Sequence, residues 1–265
     1  MKRYSPKQLR TYVQAFLKRY PLFFAFIRSQ EAYLFDMYRP LRNPILDFGC
    51  GDGYFAKIAL HGDIIDVGLD LQKSRINQAE KEQNYKNLTT YDGNTIPYPH
   101  KHFQTAISNC VLEHIPHLEV SLKEISRVLK PGGLFLTSVM TDRWEDYLVG
   151  NKIFGKSYAR IRRIDQDHHN LLSYKQWRNV FKQADFEVVE EIGYLSPRNA
   201  AWLDVMHYAS FLSLPLYMLT GRWVIFPKLY FLCRIDSWIT QRIQLPVDIK
   251  KSAALFYILK KRRGK

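Results

Sequence analysis

Between 44 and 195, short apolar runs alternate with stretches whose apolar residues recur every three or four positions. That alternation predicts repeated βα units around a parallel sheet. Strands are predicted at 45–48, 64–69, 88–91, 103–108, 134–139 and 187–194, and a late apolar run at 253–259 reads as one more. The clearest helix is 117–129, where Leu118, Leu122, Ile125, Val128 and Leu129 share a face and Pro131-Gly132-Gly133 stops the helix before the next strand. Another is 173–184, with Ser173 as its N-cap. A third, 54–60, follows the first strand directly.

The pattern divides the chain into four parts: a basic helical segment at 1–44, the α/β core at 45–195, an apolar helical insertion at 196–250, and a last strand with a basic tail at 251–265. With 265 residues, 46% hydrophobic and 24% charged, there is material for one large core, which excludes disordered and low-complexity classes. The net charge of +14 is localised. Segment 1–44 holds nine basic residues against two acidic, and 200–265 holds eleven against three, while 45–199 is nearly balanced. The C-terminal flank also holds the most apolar stretch, 205–221, which has no Asp, Glu, Lys or Arg but contains His207 and is broken by Pro215. It is short for a crossing, which needs about 20 apolar residues. With the apolar piece 223–233 and the terminal Lys260, Lys261, Arg262, Arg263 and Lys265, it suits contact with an anionic bilayer surface. The competing reading packs 202–233 over the active site as core helices, or uses it as a homodimer interface. The basic flanks match no nucleic-acid module, so nucleic acid is not an expected partner. Cys50, Cys110 and Cys233 form no CxxC pair, and the apolar run 22–27 behind Lys2 and Arg3 is short for a signal peptide. A cytoplasmic protein, working at the inner face of the membrane, is the expectation.

Chemistry enters where the first strand ends, in Asp47-Phe48-Gly49-Cys50-Gly51-Asp52-Gly53. Glycines there let backbone approach a ligand, and the helix that follows offers free N–H groups. Asp70 closes the second strand 21 residues after Gly49, where a carboxylate can accept from both hydroxyls of a ribose. A dinucleotide fingerprint wants a small residue at position 54, but the sequence has Tyr54. Asp47 and Asp52 bracket the turn and suit a cationic ligand better than a pyrophosphate.

At this point the chain resembles the class I S-adenosylmethionine-dependent methyltransferases, and among them the methyltransferase type 11 group. Five blocks in order carry the resemblance: ILDFGCGDG at 45–53, GLD at 68–70, YDGNTIPYP at 91–99, FQTAISNCVLEHI at 103–115 and EISRVLKPGGLFLTS at 124–138. The resemblance implies a Rossmann-like, doubly wound, seven-stranded and mostly parallel sheet, here with the apolar insertion ahead of the last strand, and S-adenosyl-L-methionine as cofactor. It further implies that Asp47, Gly49 and Gly51 line the methionine end, that Asp70 holds the ribose with Leu71 against the adenine, and that Asp92 and Gly93 meet the adenine amino group and ring. Asn109 falls beside the methionine portion, and Arg28, on a helix before the first strand with Glu31, within reach of the cofactor carboxylate.

A sulfonium already makes its methyl electrophilic, so the protein's work is placement, with a base only where the acceptor starts protonated. The candidate bases are His114, His168 and His169. No cluster has metal-site spacing, so no metal is expected. Aromatic residues crowd the N-terminal helix, the 141–170 segment with Trp144 and Tyr147, and the insertion, which points to a small hydrophobic or lipid-linked acceptor. The alternatives are a soluble natural-product methyltransferase with the insertion as lid or dimer interface, and a catalytically silent cofactor-binding scaffold.

Overall fold

The computed structural model describes residues 5–263; Lys2, Arg3 and Lys265 of the basic ends lie outside the described residues. Helices α1 (Pro6–Leu17) and α2 (Leu22–Asp36) lead into β1 (Ile45–Phe48), α3 (Tyr54–Ala59), β2 (Ile65–Asp70), α4 (Lys73–Ala79), β3 (Tyr85–Thr90) and β4 (Phe103–Asn109). Next come α5 (Leu118–Val128), β5 (Leu129–Met140), α6 (Arg143–Tyr147), α7 (Val149–Phe154), α8 (Lys156–Asp165), α9 (Tyr174–Gln183) and β6 (Phe186–Gly193). Helices α10 (Pro197–Ser210), α11 (Leu214–Thr220), α12 (Pro227–Leu232) and α13 (Ile235–Arg242) then separate β6 from β7 (Ala254–Lys261).

The strands form one seven-stranded sheet in the order β3-β2-β1-β4-β5-β7-β6. All neighbours are parallel except β7, which runs antiparallel to β5 and β6. This is the Rossmann-like, mostly parallel sheet expected, with the apolar helices inserted before its last strand. Strands covered on both faces read as continuous apolar runs, and β7 is the clearest case. Leu255, Tyr257 and Leu259 enter the core on one face, while Phe256 and Ile258 enter the core on the other. Helices α1 and α2 belong to the second of these cores: Leu9, Val13, Phe16, Phe26 and Phe35 are fully buried there against the sheet.

Helix α9 starts with the Ser173 cap, which forms a reciprocal capping box with Gln176. Trp177, one turn later, is fully buried and donates its indole N–H to the Met140 carbonyl at 3.0 Å. Two boundaries differ from the sequence expectation. β3 begins three residues early, at Tyr85, because that ring packs over β2: a Cβ on Gly68 would stand 2.9 Å from it. β5 starts at Leu129 and runs through Pro131-Gly132-Gly133, which the pattern assigned to a helix stop; its pairing with β4 shifts register there. Strand order reverses between β1 and β4, so their carboxyl ends diverge and open the crevice where such sheets bind ligands.

Candidate functional site

The β1 carboxyl end turns sharply at Gly49, whose φ of +77° lies in the left-handed region, and a Cβ there would stand 2.5 Å from the Val111 side chain. Packing dictates that glycine. Gly51, at φ +57°, has no heavy atom within 4 Å of where a Cβ would stand, so its small size leaves open space beside the backbone. The Gly51 amide donates to Asp70 Oδ2 at 2.9 Å, and the Gln72 amide donates to Asp70 Oδ1 at 3.0 Å, which ties the end of β2 to the loop. Asp47 is buried and accepts from the Tyr85 hydroxyl at 2.6 Å. Burial and the nearby Asp70 push the Asp47 carboxyl up to about 7, against the pull of that hydrogen bond.

Leu71 is 58% exposed at the end of β2, and a Cβ on Gly93 would stand 3.3 Å from its Cδ2, so the Leu71 side chain lies close against the Gly93 backbone. Asp92 Oδ1 accepts from the Asn94 and Thr95 amides at 2.9 and 3.0 Å, which holds its carboxyl below the ordinary carboxylate value. Asn109 ends β4, accepting from the Ser138 hydroxyl at 2.6 Å and donating to Glu31 Oε2 at 2.9 Å.

Glu31, fully buried on α2, is the hub of this end of the sheet. Besides Asn109 it accepts from Arg28 at 2.6 Å, the Tyr194 hydroxyl at 2.9 Å and the Cys110 thiol at 3.0 Å. Four donors around one carboxylate suit its charged form, and they join α2, β4 and the segment after β6. Arg28 is held by Glu31 on one side and borders a cavity on the other.

That cavity, about 330 Å³, lies beyond the end of β4. Phe23, Phe24, Ile27, Met140, Trp144, Leu148 and Leu203 supply its apolar wall, and Cys110 lines it as well. The structure brings two of the three candidate histidines into it. His114 and His168 stand with ring centroids 4.9 Å apart. His114 Nδ1 lies 3.2 Å from the Asp167 carbonyl; a carbonyl only accepts, so Nδ1 donates there, and in the neutral ring Nε2 holds the lone pair. His168 is buried against the Trp144 ring with Nδ1 unpartnered, and burial, then His114, Arg163 and Arg162, pull it down to about 3. His169 stands apart, its Nε2 3.0 Å from Asp167 on the surface. The His169 and Asn170 amides both donate to the Glu113 carbonyl, at 2.8 and 2.9 Å, and with the backbone anchored there His168 is buried while His169 is exposed.

Four polar groups of the cavity were not among the expected site residues. Glu113 is fully buried with neither carboxylate oxygen hydrogen-bonded, and burial pushes its carboxyl above the ordinary value. The LEHI block contains it, yet only the fold turns it inward. Arg162 and His207, 3.0 Å apart, close the far side with Asp204 and carry no motif. Among the described residues, no group of three or more His, Cys, Asp or Glu is arranged to hold a metal ion.

A family model described as a methyltransferase domain matches residues 8–191. The chain is 24% identical over 165 residues to a ubiquinone biosynthesis O-methyltransferase of Bartonella tribocorum, covering 60% of this chain and 66% of that protein. It is 26% identical over 190 residues to a Mycolicibacterium smegmatis protein named as a "probable S-adenosylmethionine-dependent methyltransferase", covering 71% and 69%. The chain thus spans about two thirds of the length of these relatives. Among solved structures, an S-adenosylmethionine-dependent methyltransferase of Thermotoga maritima superposes with a TM-score of 0.60 at 14% identity over 97% of both chains, a likeness of fold.

Proposed function

We propose, from the premise that this chain belongs to the methyltransferase-domain family and uses S-adenosyl-L-methionine, that it methylates a small apolar acceptor seated in the cavity beyond β4. One observation carries this reading. The cavity is walled largely by aromatic and aliphatic side chains and is lined by Cys110, the residue after Asn109 at the end of β4, the strand that pairs with β1 ahead of the glycine loop. The Bartonella relative, named for ubiquinone biosynthesis, adds support for an apolar acceptor.

The crevice fits the cofactor in three respects. Gly51 leaves room for a ligand against the backbone. Asp70 and the buried Asp47 place two carboxyl groups where a cation would draw both to the charged form, and the exposed Leu71 offers an apolar surface to a flat ring. When bound, the cofactor supplies a methyl group on a positively charged sulfur, ready for attack in line. Asp47, Gly49, Gly51 and Asn109 hold the methionine end, with Arg28 turned toward its carboxylate. Asp70 accepts from the ribose hydroxyls, while Leu71, Asp92 and Gly93 hold the adenine.

Neutral His114, donating from Nδ1 to the Asp167 carbonyl, takes the proton of an acceptor hydroxyl at Nε2 as the new bond forms. His168 remains neutral down to about pH 3 and is too weak a base for that step; its free Nδ1 accepts a hydrogen bond from the acceptor and orients it. The buried Glu113 carboxyl, unpaired in the same wall, marks where the acceptor's polar end lies. His169 has no part in the chemistry.

Calorimetric titration with S-adenosylhomocysteine, with NAD as control, tests the cofactor half. Binding of the former alone is expected. Methyl transfer to a homologous series of alkylated phenols and fatty acids tests the acceptor half, with rates rising along the chain-length series and falling about a hundredfold or more in His114→Gln. Equal rates for the shortest, water-soluble members would refute an apolar acceptor. Cofactor binding without transfer to any acceptor would favour a silent scaffold.

A further inference from the structure

Two segments that flank the cavity share a composition unlike the rest of the chain. Residues 147–165, covering α7 and α8, contain five Lys or Arg and one acid, Asp165 at the end of α8; residues 205–235, covering α11 and α12, contain three Lys or Arg and no acid. Both leave large apolar side chains in solvent. Leu212 is 87% exposed, Leu219 85% and Met218 78%, and Phe154, Ile164 and Phe226 are each about as exposed as one another. An isolated exposed leucine is ordinary, but a contiguous set is not. A ladder of rings joins the two segments. Phe154 packs on Tyr158, Tyr158 on Tyr208, and Tyr208 on Phe211, with centroids 6.1 to 6.3 Å apart.

Cations stud this apolar face. Lys152, Lys156, Arg160, Arg222, Lys228 and Arg234 are exposed and, among the described residues, enter no ion pair. Unpaired cations beside exposed Leu, Met and Phe fit an anionic lipid surface, which takes apolar groups below its phosphates and attracts the charges. A second copy of this chain is the poorer occupant, because a two-fold contact would bring the same cations onto one another with Asp165 as the one carboxylate of the two segments to offset them. Among the described residues, no helix is long and apolar enough to cross a membrane, so the contact is peripheral.

The face also borders a groove that shares two helices with the acceptor cavity. On α10, Leu203 and His207 line that cavity, whereas Ala209 and Ser210 line a second apolar groove, about 360 Å³, whose other wall is Leu212, Leu216 and Phe226. The start of α2 divides likewise, with Leu22 in the groove and Phe23 in the cavity. We infer that the α7–α8 and α11–α12 face docks peripherally on an anionic bilayer, and that the groove beside it leads an apolar acceptor from the lipid to the methyl-transfer cavity. The docking stands on the surface alone; the delivery rests on the apolar-acceptor reading above.

Co-sedimentation of the full chain with vesicles of phosphatidylcholine, and of phosphatidylcholine mixed with phosphatidylglycerol, tests the docking. Binding to the mixed vesicles, weakened by salt, is expected. Arg222→Glu with Lys228→Glu lowers partitioning about tenfold or more on mixed vesicles, and Leu219→Ser with Phe226→Ser lowers it about tenfold. All four residues lie outside the cofactor crevice, so both variants keep wild-type S-adenosylhomocysteine affinity, which shows that they fold. No partitioning by the wild type, or variants that partition as it does, would overturn the docking; so would a dimer dispersed by the same substitutions without vesicle binding. Vesicle binding together with a preference for short, soluble acceptors would keep the docking and refute the delivery.

Discussion

Replacing Glu31 by Gln changes almost no volume but removes the charge on which four donors converge. Glu31 is fully buried, while its partner Arg28 is one-fifth exposed. The amide keeps one acceptor oxygen and turns the other position into a donor, so either Arg28 and Asn109 or Cys110 and Tyr194 face a donor. Removing one member of a buried ion pair costs about 3–5 kcal/mol, since the remaining charge is left in low dielectric. Partial solvation of Arg28 lowers that to about 2–4 kcal/mol, a large share of the ~5–15 kcal/mol that holds a typical protein folded. Adding Arg28→Met should recover about 1–2 kcal/mol, because the stranded charge is gone and only neutral donors remain unpaired. Urea unfolding of the wild type, the single variant and the double variant measures both quantities. A loss under about 1 kcal/mol, or a double variant less stable than the single one, would refute the view that a charged Glu31 organises this end of the sheet.

Three further outcomes follow from the site. Gly49→Ala and Gly51→Ala should separate folding from binding: the first meets Val111 and destabilises by more than about 2 kcal/mol, whereas the second pays only the left-handed backbone cost of about 1–2 kcal/mol yet fills the crevice and abolishes S-adenosylhomocysteine binding in calorimetry. Asp70→Ala should weaken that binding by ~1.5–3 kcal/mol, and unchanged affinity would remove Asp70 from the ribose site. His168, ordinarily near 6.5, sits at about 3 in the fold, so between those values the unfolded chain binds a proton that the folded one refuses. Its contribution is present above pH 6.5 and is lost as pH falls toward 3, amounting to about 2 kcal/mol between pH 8 and pH 5. Unfolding curves of His168→Asn should be flatter over that interval, and an unchanged slope would mean that His168 takes up its proton in the folded state.

The strands and the glycine loop were legible in the sequence because their causes are local. A strand covered on both sides must be apolar at successive positions, as β7 is from Ala254 to Leu259, and that shows without a partner. The turn from Asp47 to Gly53 and the acid closing β2 are likewise read within about twenty residues, since backbone approach and helix start are short-range demands. Tertiary structure alone decided the rest. Tyr85 meets Asp47 only because β3 lies beside β2 and β2 beside β1. Glu31 and Tyr194, 163 positions apart, share a hydrogen bond only because α2 and the end of β6 cover the same end of the sheet. His114 and His168 looked no different from His169 until the 169–170 backbone amides bonded the Glu113 carbonyl and set which of the neighbours faces inward. Periodicity records whether a residue is buried, whereas the partner it is buried against depends on strand order and loop path, which no local pattern contains.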